Sequence, residues 1–567
     1  MGRAGPMRVS PGQRLAVLLT AAAVAVLIVL PLVRLTQTAM TEGSGVLGRV
    51  LTSPDLGAAV VNTVLLAIVV TVLAVPAGVL TALVLRRPDL PGRYFWRVAV
   101  LLPVLVPQFV LGYSWRQAYG TAGFTDATLG VPWPGVLGPA GVVVVLVVNA
   151  VPLTYLLAAV GLAARAEPDL ERAARACGAS GRTALRTVTL PLLRPSAAAA
   201  SVLVFVLTLE SFAVPQVLGA PAGFSTVTTR IYADLSLGSD PDSFVEAITL
   251  ALLLVGLAVL VVAPADALLG PRLRSARVAD SGGAPSAPAR RSTSRWAAAG
   301  LGCYLLFAVA LPLLALLSAA VTRAVGLPPS PANWTSDHFT GVLDERTLDA
   351  TGRSLVLAIT AASLLTVLGA GVAVLERRRL GRGVATLVTL TLVLPGSTLA
   401  VALLITYGRW LGGGLTLILL AYLAKLWAFA HRPVSGALDR LPADELRAAR
   451  VSGAGALTAA RTVAVRPLAP ALLGAWLVCF VTALHEVTMS ALLYGPGSET
   501  LAVVVLNSQE LGQIGPTAAL SVLLTLLMVV PAVPLWLVLR SLRVARRGGG
   551  TPVPAGSPRI AERPRVG

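Results

Sequence analysis

Two glutamates stand where an apolar sequence has no use for charge. Glu210 follows the run VLVFVLTL and Glu486 follows CFVTALH, 276 residues further on. A carboxylate facing lipid is expensive, so each should face a bundle interior, a water-filled cavity or a hydrogen-bonding partner. Brought together from separate parts of the chain, the pair would offer hard oxygen ligands to a cation. Held apart, each would bond polar neighbours between helices. His485, beside Glu486, reads as an interhelical hydrogen-bonding group, and Lys425, in LAKLW, as a side chain that snorkels or pairs within a bundle. Lys425 is the only lysine, and Leu426 follows it in an apolar run. The chain therefore lacks the glycine-rich loop ending in Lys-Ser or Lys-Thr that cradles phosphates. His338, His431 and His485 are far apart in sequence, and Cys177, Cys303 and Cys479 have neither disulfide nor zinc spacing. No catalytic grouping, resident metal or bound cofactor is expected.

A second kind of site is built for contact. Asp169 to Pro195, DLERAARACGASGRTALRTVTLPLLRP, is repeated as Asp444 to Pro470, DELRAARVSGAGALTAARTVAVRPLAP, with fourteen of 27 positions identical. Pro168 and Pro442 open the copies, acids follow, and Gly178 or Gly453 closes a helix of about two turns. In the first copy Leu170, Ala173, Ala174 and Cys177 share one narrow face of mostly small residues, with Arg172 and Arg175 on its flanks. Small side chains let another backbone come close. Ser180 can cap a second helix leading through Leu190-Pro191 back into apolar sequence. Helix, glycine turn and helix form a lever, by which a partner could move the rest of the chain. The competing reading is a basic amphipathic helix lying on lipid; the glycine-hinged duplicate argues against it.

The elements that must position these residues are membrane spans. Of 567 residues, 56% are hydrophobic and 13% charged, and the mean hydropathy is +0.81, a composition that describes a membrane protein. A net charge of +19 might suggest nucleic acid, but the arginines form short clusters between apolar runs, as positive-inside topology requires. About 20 apolar residues cross a bilayer. Twelve runs qualify, near 15–35, 58–85, 94–115, 139–163, 196–216, 245–269, 296–322, 354–375, 384–407, 412–431, 471–493 and 516–540. The expected fold is an all-α polytopic membrane protein of about twelve helices in two parallel six-helix halves, the first span being a retained anchor. Arginine clusters before the first span and after the second, sixth and eighth place both termini and both cassettes in the cytoplasm. The organisation read from this is an anchor span and loop (1–57), a first unit (58–269, cassette 167–195) and a linker (270–295). A seventh span and loop (296–352), a second unit (353–541, cassette 442–470) and a basic tail (542–567) complete it. Asn62 to Ile68 is echoed by Arg353 to Ile359, and Leu102-Pro103 by Leu394-Pro395.

The cassette resembles the EAA loop of the membrane subunits of type I ABC importers, carried by ERAARACG at Glu171 to Gly178 and LRAARVSG at Leu446 to Gly453. The family glutamate is replaced by Arg172 and Arg447. The resemblance implies a multi-pass permease of the bacterial inner membrane that is not itself an enzyme. Its partners would be a cytoplasmic ABC ATPase dimer that uses the ATP, an extracytoplasmic solute-binding protein and membrane lipid, with no nucleic acid. It also implies ATPase docking through Glu171, Arg172, Ala173, Ala174 and Gly178, and through Glu445, Arg447, Ala448, Ala449 and Gly453, with Glu210 and Glu486 as candidates for the path. Segments around Glu210 and from Gly219 to Tyr232, and from His485 to Val505, resemble the ferric-iron group, with thiamine permeases as neighbours. Ferric iron is the implied cargo; thiamine, polyamine, sulfate and phosphonate share the scaffold. A twelve-span secondary transporter is the rival from another class.

Overall fold

In lipid, backbone polar groups must be satisfied within the protein, and long apolar runs achieve this as helices. The computed structural model describes residues 11–42, 48, 54–87, 89–165, 168–238, 240–274, 291–377, 379–441, 448–449, 451–453, 455, 458 and 465–530. Among these the regular structure is helical, with one isolated bridge between Thr322 and Trp334. In chain order the helices used below are α1 (Leu18–Thr41), α2 (Pro54–Leu85), α3 (Arg93–Ala99), α4 (Gln108–Tyr119), α5 (Pro139–Arg165), α6 (Pro168–Ala176), α7 (Leu190–Leu209), α8 (Val227–Ser236) and α9 (Pro241–Arg274). The series is then repeated: α10 (Arg295–Val321), α11 (Glu345–Glu376), α12 (Arg379–Leu390), α13 (Gly396–Leu411), α14 (Leu415–Leu438), α15 (Val465–Leu484), α16 (Thr488–Leu493), α17 (Leu501–Glu510) and α18 (Ile514–Val530).

The expected count of twelve spans is not reached. Nine helices among the described residues are long and apolar enough to cross a membrane, ten if one bent pair counts as a span. The expected span at 94–115 is that pair, Arg93–Leu105 and Gln108–Leu129, bent by 98°. The chain is extended at Val106 and Pro107, where proline disfavours helix for the residue before it and lacks an N–H. The span at 384–407 breaks in the same way: α12 ends at Leu390 and Pro395, extended, precedes α13. Pro107, not Pro103, is thus the structural counterpart of Pro395. The last expected span, 516–540, is described only as far as Val530; most of the linker and all of the basic tail lie outside the described residues.

The duplication extends to atoms. Thr63 Oγ1 accepts a hydrogen bond from Val227 N at 2.9 Å, and Ser354 Oγ accepts one from Leu501 N at 2.8 Å. These hydroxyls stand at matching places in the echoed segments, each tying the first long helix of its half to a short helix, α8 or α17. α2, α5 and α7 pack as one three-helix group and α11, α14 and α15 as another. Matching glycines allow the closest approach. A Cβ on Gly78 would lie 2.5 Å from Thr154 Cβ, and one on Gly369 would lie 2.8 Å from Ala430, well inside van der Waals contact. The leading helices are exchanged between halves. α1 buries Val24, Leu27 and Ile28 among α11, α13 and α14, while α10 buries Ala308, Val309 and Leu316 against Phe109 and Trp115 of α4. Trp115 Nε1 donates to Ala308 O at 3.1 Å, and Tyr407 OH to Val26 O at 2.6 Å.

Candidate functional site

The two helix breaks create a polar spot in an apolar interior. A proline break leaves carbonyls without a helical partner, and a buried carbonyl needs a donor. In the second half Lys425, projecting from α14, gives a proton to Leu394 O at 2.7 Å. In the first half Asn149 of α5 donates to Pro103 O at 3.3 Å and accepts from Gln108 Nε2 at 3.0 Å. Lys425 also reaches into the other half, where its Nζ lies 2.5 Å from Glu210 Oε2, both side chains being largely buried. Of the two sequence readings for this lysine, pairing within the bundle is the one realised.

Glu210 caps the C-terminus of α7. Glu486 stands at the matching place after α15 but serves its own half, its Oε2 accepting from Met489 N at 2.8 Å and Ser490 N at 3.2 Å at the start of α16. Both glutamates line one cavity of about 480 Å³ between the halves, together with Lys425, His485, Ser211 and Asn149 and an apolar wall that includes Phe109 and Phe429. One carboxylate from each half thus lines the cavity, and that of Glu210 is paired with Lys425. Lys425 is the only lysine in the sequence and stands in the middle of an apolar run, which is the signal that marks it. Ser211 had no such signal. Its buried hydroxyl has no partner among the described residues, although its carbonyl accepts from Thr228 Oγ1 at 2.7 Å. His485 Nδ1 faces Val481 O at 2.5 Å. His338 and His431 lie elsewhere, the latter 3.0 Å from Glu376. Among the described residues no group of three His, Cys, Asp or Glu side chains is placed to hold a metal ion.

The first cassette folds as its residues dictate. α6 ends in a turn where Ala179 N bonds Ala174 O and Gly178 N bonds Arg175 O, each at 3.0 Å. Gly178 has φ +86°, a left-handed conformation that a side chain resists. Ser180 Oγ accepts from Thr183 N at 3.2 Å and caps the next helix, which leads into α7. Arg172, Ala173 and Cys177 are exposed, Leu170 is 43% exposed and Ala174 half-buried, so the small face is turned outward. Glu171 is different. It pairs with Arg86 at 3.0 Å and accepts from Thr189 Oγ1 at 2.6 Å, so this carboxylate is occupied by its own half. It thereby clamps α6 to the rest of the first half. In the second cassette Gly453 again has φ +84°, Ala448 is exposed and Ala449 half-buried; Glu445 and Arg447 lie outside the described residues. Of the three cysteines, read as packing residues, Cys479 is buried and Cys177 and Cys303 are exposed.

At the end of α7 remote from the cassette the halves touch again. Glu510 at the end of α17 accepts from Gln216 Nε2 at 3.1 Å and from Tyr232 OH at 3.2 Å. Tyr113 OH donates to Ile514 O at 3.0 Å.

Comparison with known proteins adds to this geometry. Residues 57–275 and 365–542 each match the family described as binding-protein-dependent transport system inner membrane component. The chain is 25% identical over 525 residues to the probable ABC transporter permease protein y4fN of Sinorhizobium fredii, covering 88% of this chain and 89% of that one. It is 28% identical over 265 residues to the putative 2-aminoethylphosphonate transport system permease protein PhnV of Salmonella typhimurium, covering 45% of this chain and 96% of the relative. It is also 35% identical over 215 residues to the molybdenum transport system permease protein ModB of Mycobacterium tuberculosis, covering 37% and 79% respectively. Relatives matched almost to their full length by under half of this chain are what a fused duplicate would produce.

Proposed function

The chain belongs to the family of inner membrane components of binding-protein-dependent transport systems, and from that premise we propose that it supplies both permease domains of a type I ABC importer in one polypeptide. It is a multi-pass membrane protein and a transport component. A cytoplasmic ATPase dimer docks on the two cassettes, an extracytoplasmic binding protein delivers the solute to the opposite end, and ATP-driven closure of the dimer switches the cavity between its two openings. The ATPase selects one of two conformations of the permease; this chain carries out no hydrolysis. Both termini are cytoplasmic, in agreement with Arg86 of the loop after α2 lying against the first cassette.

The observation that carries this reading is the pair of cassettes, each turned by a glycine near φ +85° with small residues outward, at the far end of α7 from the Glu510 contact. Gly178→Pro combined with Gly453→Pro should abolish co-purification of the ABC ATPase that the wild-type chain retains. Stoichiometric co-purification of the double variant would overturn the docking assignment, and topology mapping that places either cassette outside the cell would overturn the orientation.

Ferric iron is the cargo implied by the resemblance, and the meeting of Glu210 with Glu486 in one cavity supports a positively charged solute. A second reading, a small organic solute carrying an amine, is favoured by the ion pair that removes Glu210 from the set of free oxygen ligands. Uptake of labelled iron and of labelled 2-aminoethylphosphonate by cells lacking the chain separates them: the solute whose uptake is lost, and restored by the gene, is the cargo.

A further inference from the structure

The central cavity breaks the charge symmetry of its two halves at Lys425. Glu210 and Glu486 are counterparts, but the counterpart of Lys425 is the neutral Asn149, which satisfies the matching helix break of the first half and lines the same cavity. A symmetric site would hold two carboxylates and no cation. This one holds two carboxylates and a single ammonium, and the ammonium is committed: Lys425 spans from Leu394 O to Glu210 Oε2, which secures both the helix break and the carboxylate of the other half.

We propose that Lys425 sets the charge of this cavity so that it accepts one organic ammonium group, at Glu486, and excludes bare multivalent metal cations. The proposal rests on the permease reading and narrows its cargo.

The remaining acceptors suit such a group. Glu486 makes no ion pair among the described residues; one of its oxygens is held by two backbone N–H groups, an arrangement that fixes its direction. His485 Nδ1, against a carbonyl, must donate, which leaves Nε2 of the neutral ring as an acceptor. Ser211 adds a buried hydroxyl with no partner among the described residues. An ammonium has N–H donors for these atoms, and its carbon skeleton meets the apolar wall of a cavity whose volume, about 480 Å³, is in the range of small-molecule sites. A hard trivalent ion needs several charged oxygens to replace its water, and among the described residues lining this cavity only Glu486 offers a carboxylate outside an ion pair.

The test uses the full chain in bilayer nanodiscs without any ATPase, with radiolabelled ethanolamine as the ammonium probe and Tb³⁺ luminescence as the hard-cation probe. Wild-type protein should retain ethanolamine, and Glu486→Gln should weaken that retention about tenfold or more. Lys425→Gln, which keeps a donor but removes the charge, should raise Tb³⁺ binding by about tenfold or more; adding Glu210→Gln to it should remove that gain. Ethanolamine binding that is absent in wild type or unchanged by Glu486→Gln, or Tb³⁺ bound equally by wild type and Lys425→Gln, would overturn the proposal. Since no reading here depends on the ATPase, these outcomes are separable from a failure of cassette docking.

Discussion

The two halves solve one mechanical problem with different chemistry. In each, a proline breaks the second long helix and the bared carbonyl must be satisfied from the third. The first half uses Asn149, a neutral amide that also accepts from Gln108; the second uses Lys425, a cation that then needs a counter-charge and takes it from Glu210 across the interface. A neutral joint closes within its own half. A charged joint fastens the halves together, so any motion between them must move or break a buried ion pair.

Replacing Lys425 by methionine tests this contrast at its strongest. It leaves Glu210 buried without its partner and Leu394 O without its donor, and removing one member of a buried pair costs about 3–5 kcal/mol. Asn149→Leu leaves one carbonyl and one amide unsatisfied, at about 1–3 kcal/mol. Thermal unfolding of the full chain in detergent should rank Lys425→Met well below Asn149→Leu, with Glu210→Gln added to Lys425→Met recovering part of the loss. Equal midpoints for the two single variants would mean that the joints are equivalent and that the cross-half pair contributes little.

How much of this was legible follows from what each signal measures. Hydropathy reports apolar length, so it located the spans but read through the breaks at Val106-Pro107 and at Pro395, where apolar sequence continues while the helix does not. The 275-residue repeat named both cassettes and both glycines, because a left-handed turn is a single-residue requirement. It could not say which way Glu171 points; that depends on Arg86, 85 residues earlier, in the turn just after α2, a helix whose distance from α6 is set only by packing. Glu210 and Glu486 were found from cost alone, since a charge in an apolar run demands a partner. The identity of the partner was settled by which of three helices faced them. The exchange of α1 and α10 between halves has no local signal, because which half a mostly apolar span packs against is set by tertiary contacts.

The cassettes offer a second comparison. Glu171 and Thr189 have Leu446 and Ala464 as counterparts, so the clamp that ties α6 to Arg86 has no equivalent of the same residues in the second copy. Arg377, the counterpart of Arg86, instead approaches Asp439 at 3.6 Å. Glu171→Ala should therefore loosen one lever only, at a cost of about 1–3 kcal/mol for a half-buried charged partner set, visible as faster hydrogen exchange from Pro168 to Thr189 with the second cassette unchanged. Equal acceleration in both would show that the levers are coupled through the body of the protein. Ser180→Ala, which removes the cap on Thr183 N and the contact with the Thr183 hydroxyl, should cost about 1 kcal/mol and raise exchange over Gly181–Ala184 alone.

The smallest expected effect concerns the other end of the molecule. Thr226 and Thr500 precede α8 and α17 at matching places, which makes Ser236 of the first half the counterpart of Glu510. Glu510 keeps an exposed side, but the protein around its carboxyl raises it above the ordinary 4.5 by partial desolvation, against the opposing pull of hydrogen bonds from Tyr232 and Gln216. A carboxyl that holds its proton more tightly in the joined arrangement than in water links the two: acid favours the joined state, and the benefit is lost as pH rises through the raised value. Hydrogen exchange in α17, corrected for intrinsic rates, should slow modestly from pH 7 to pH 5, while α8, which ends in Ser236, should show less change from its own terminus. Glu510→Gln should flatten the dependence in α17, because a permanently neutral amide carries no titrating proton. A slope that survives the substitution would shift the pH response to Asp234, whose carboxyl burial raises to about 6 despite Arg230 at 3.2 Å, and would place the sensitive element on the first half rather than the second.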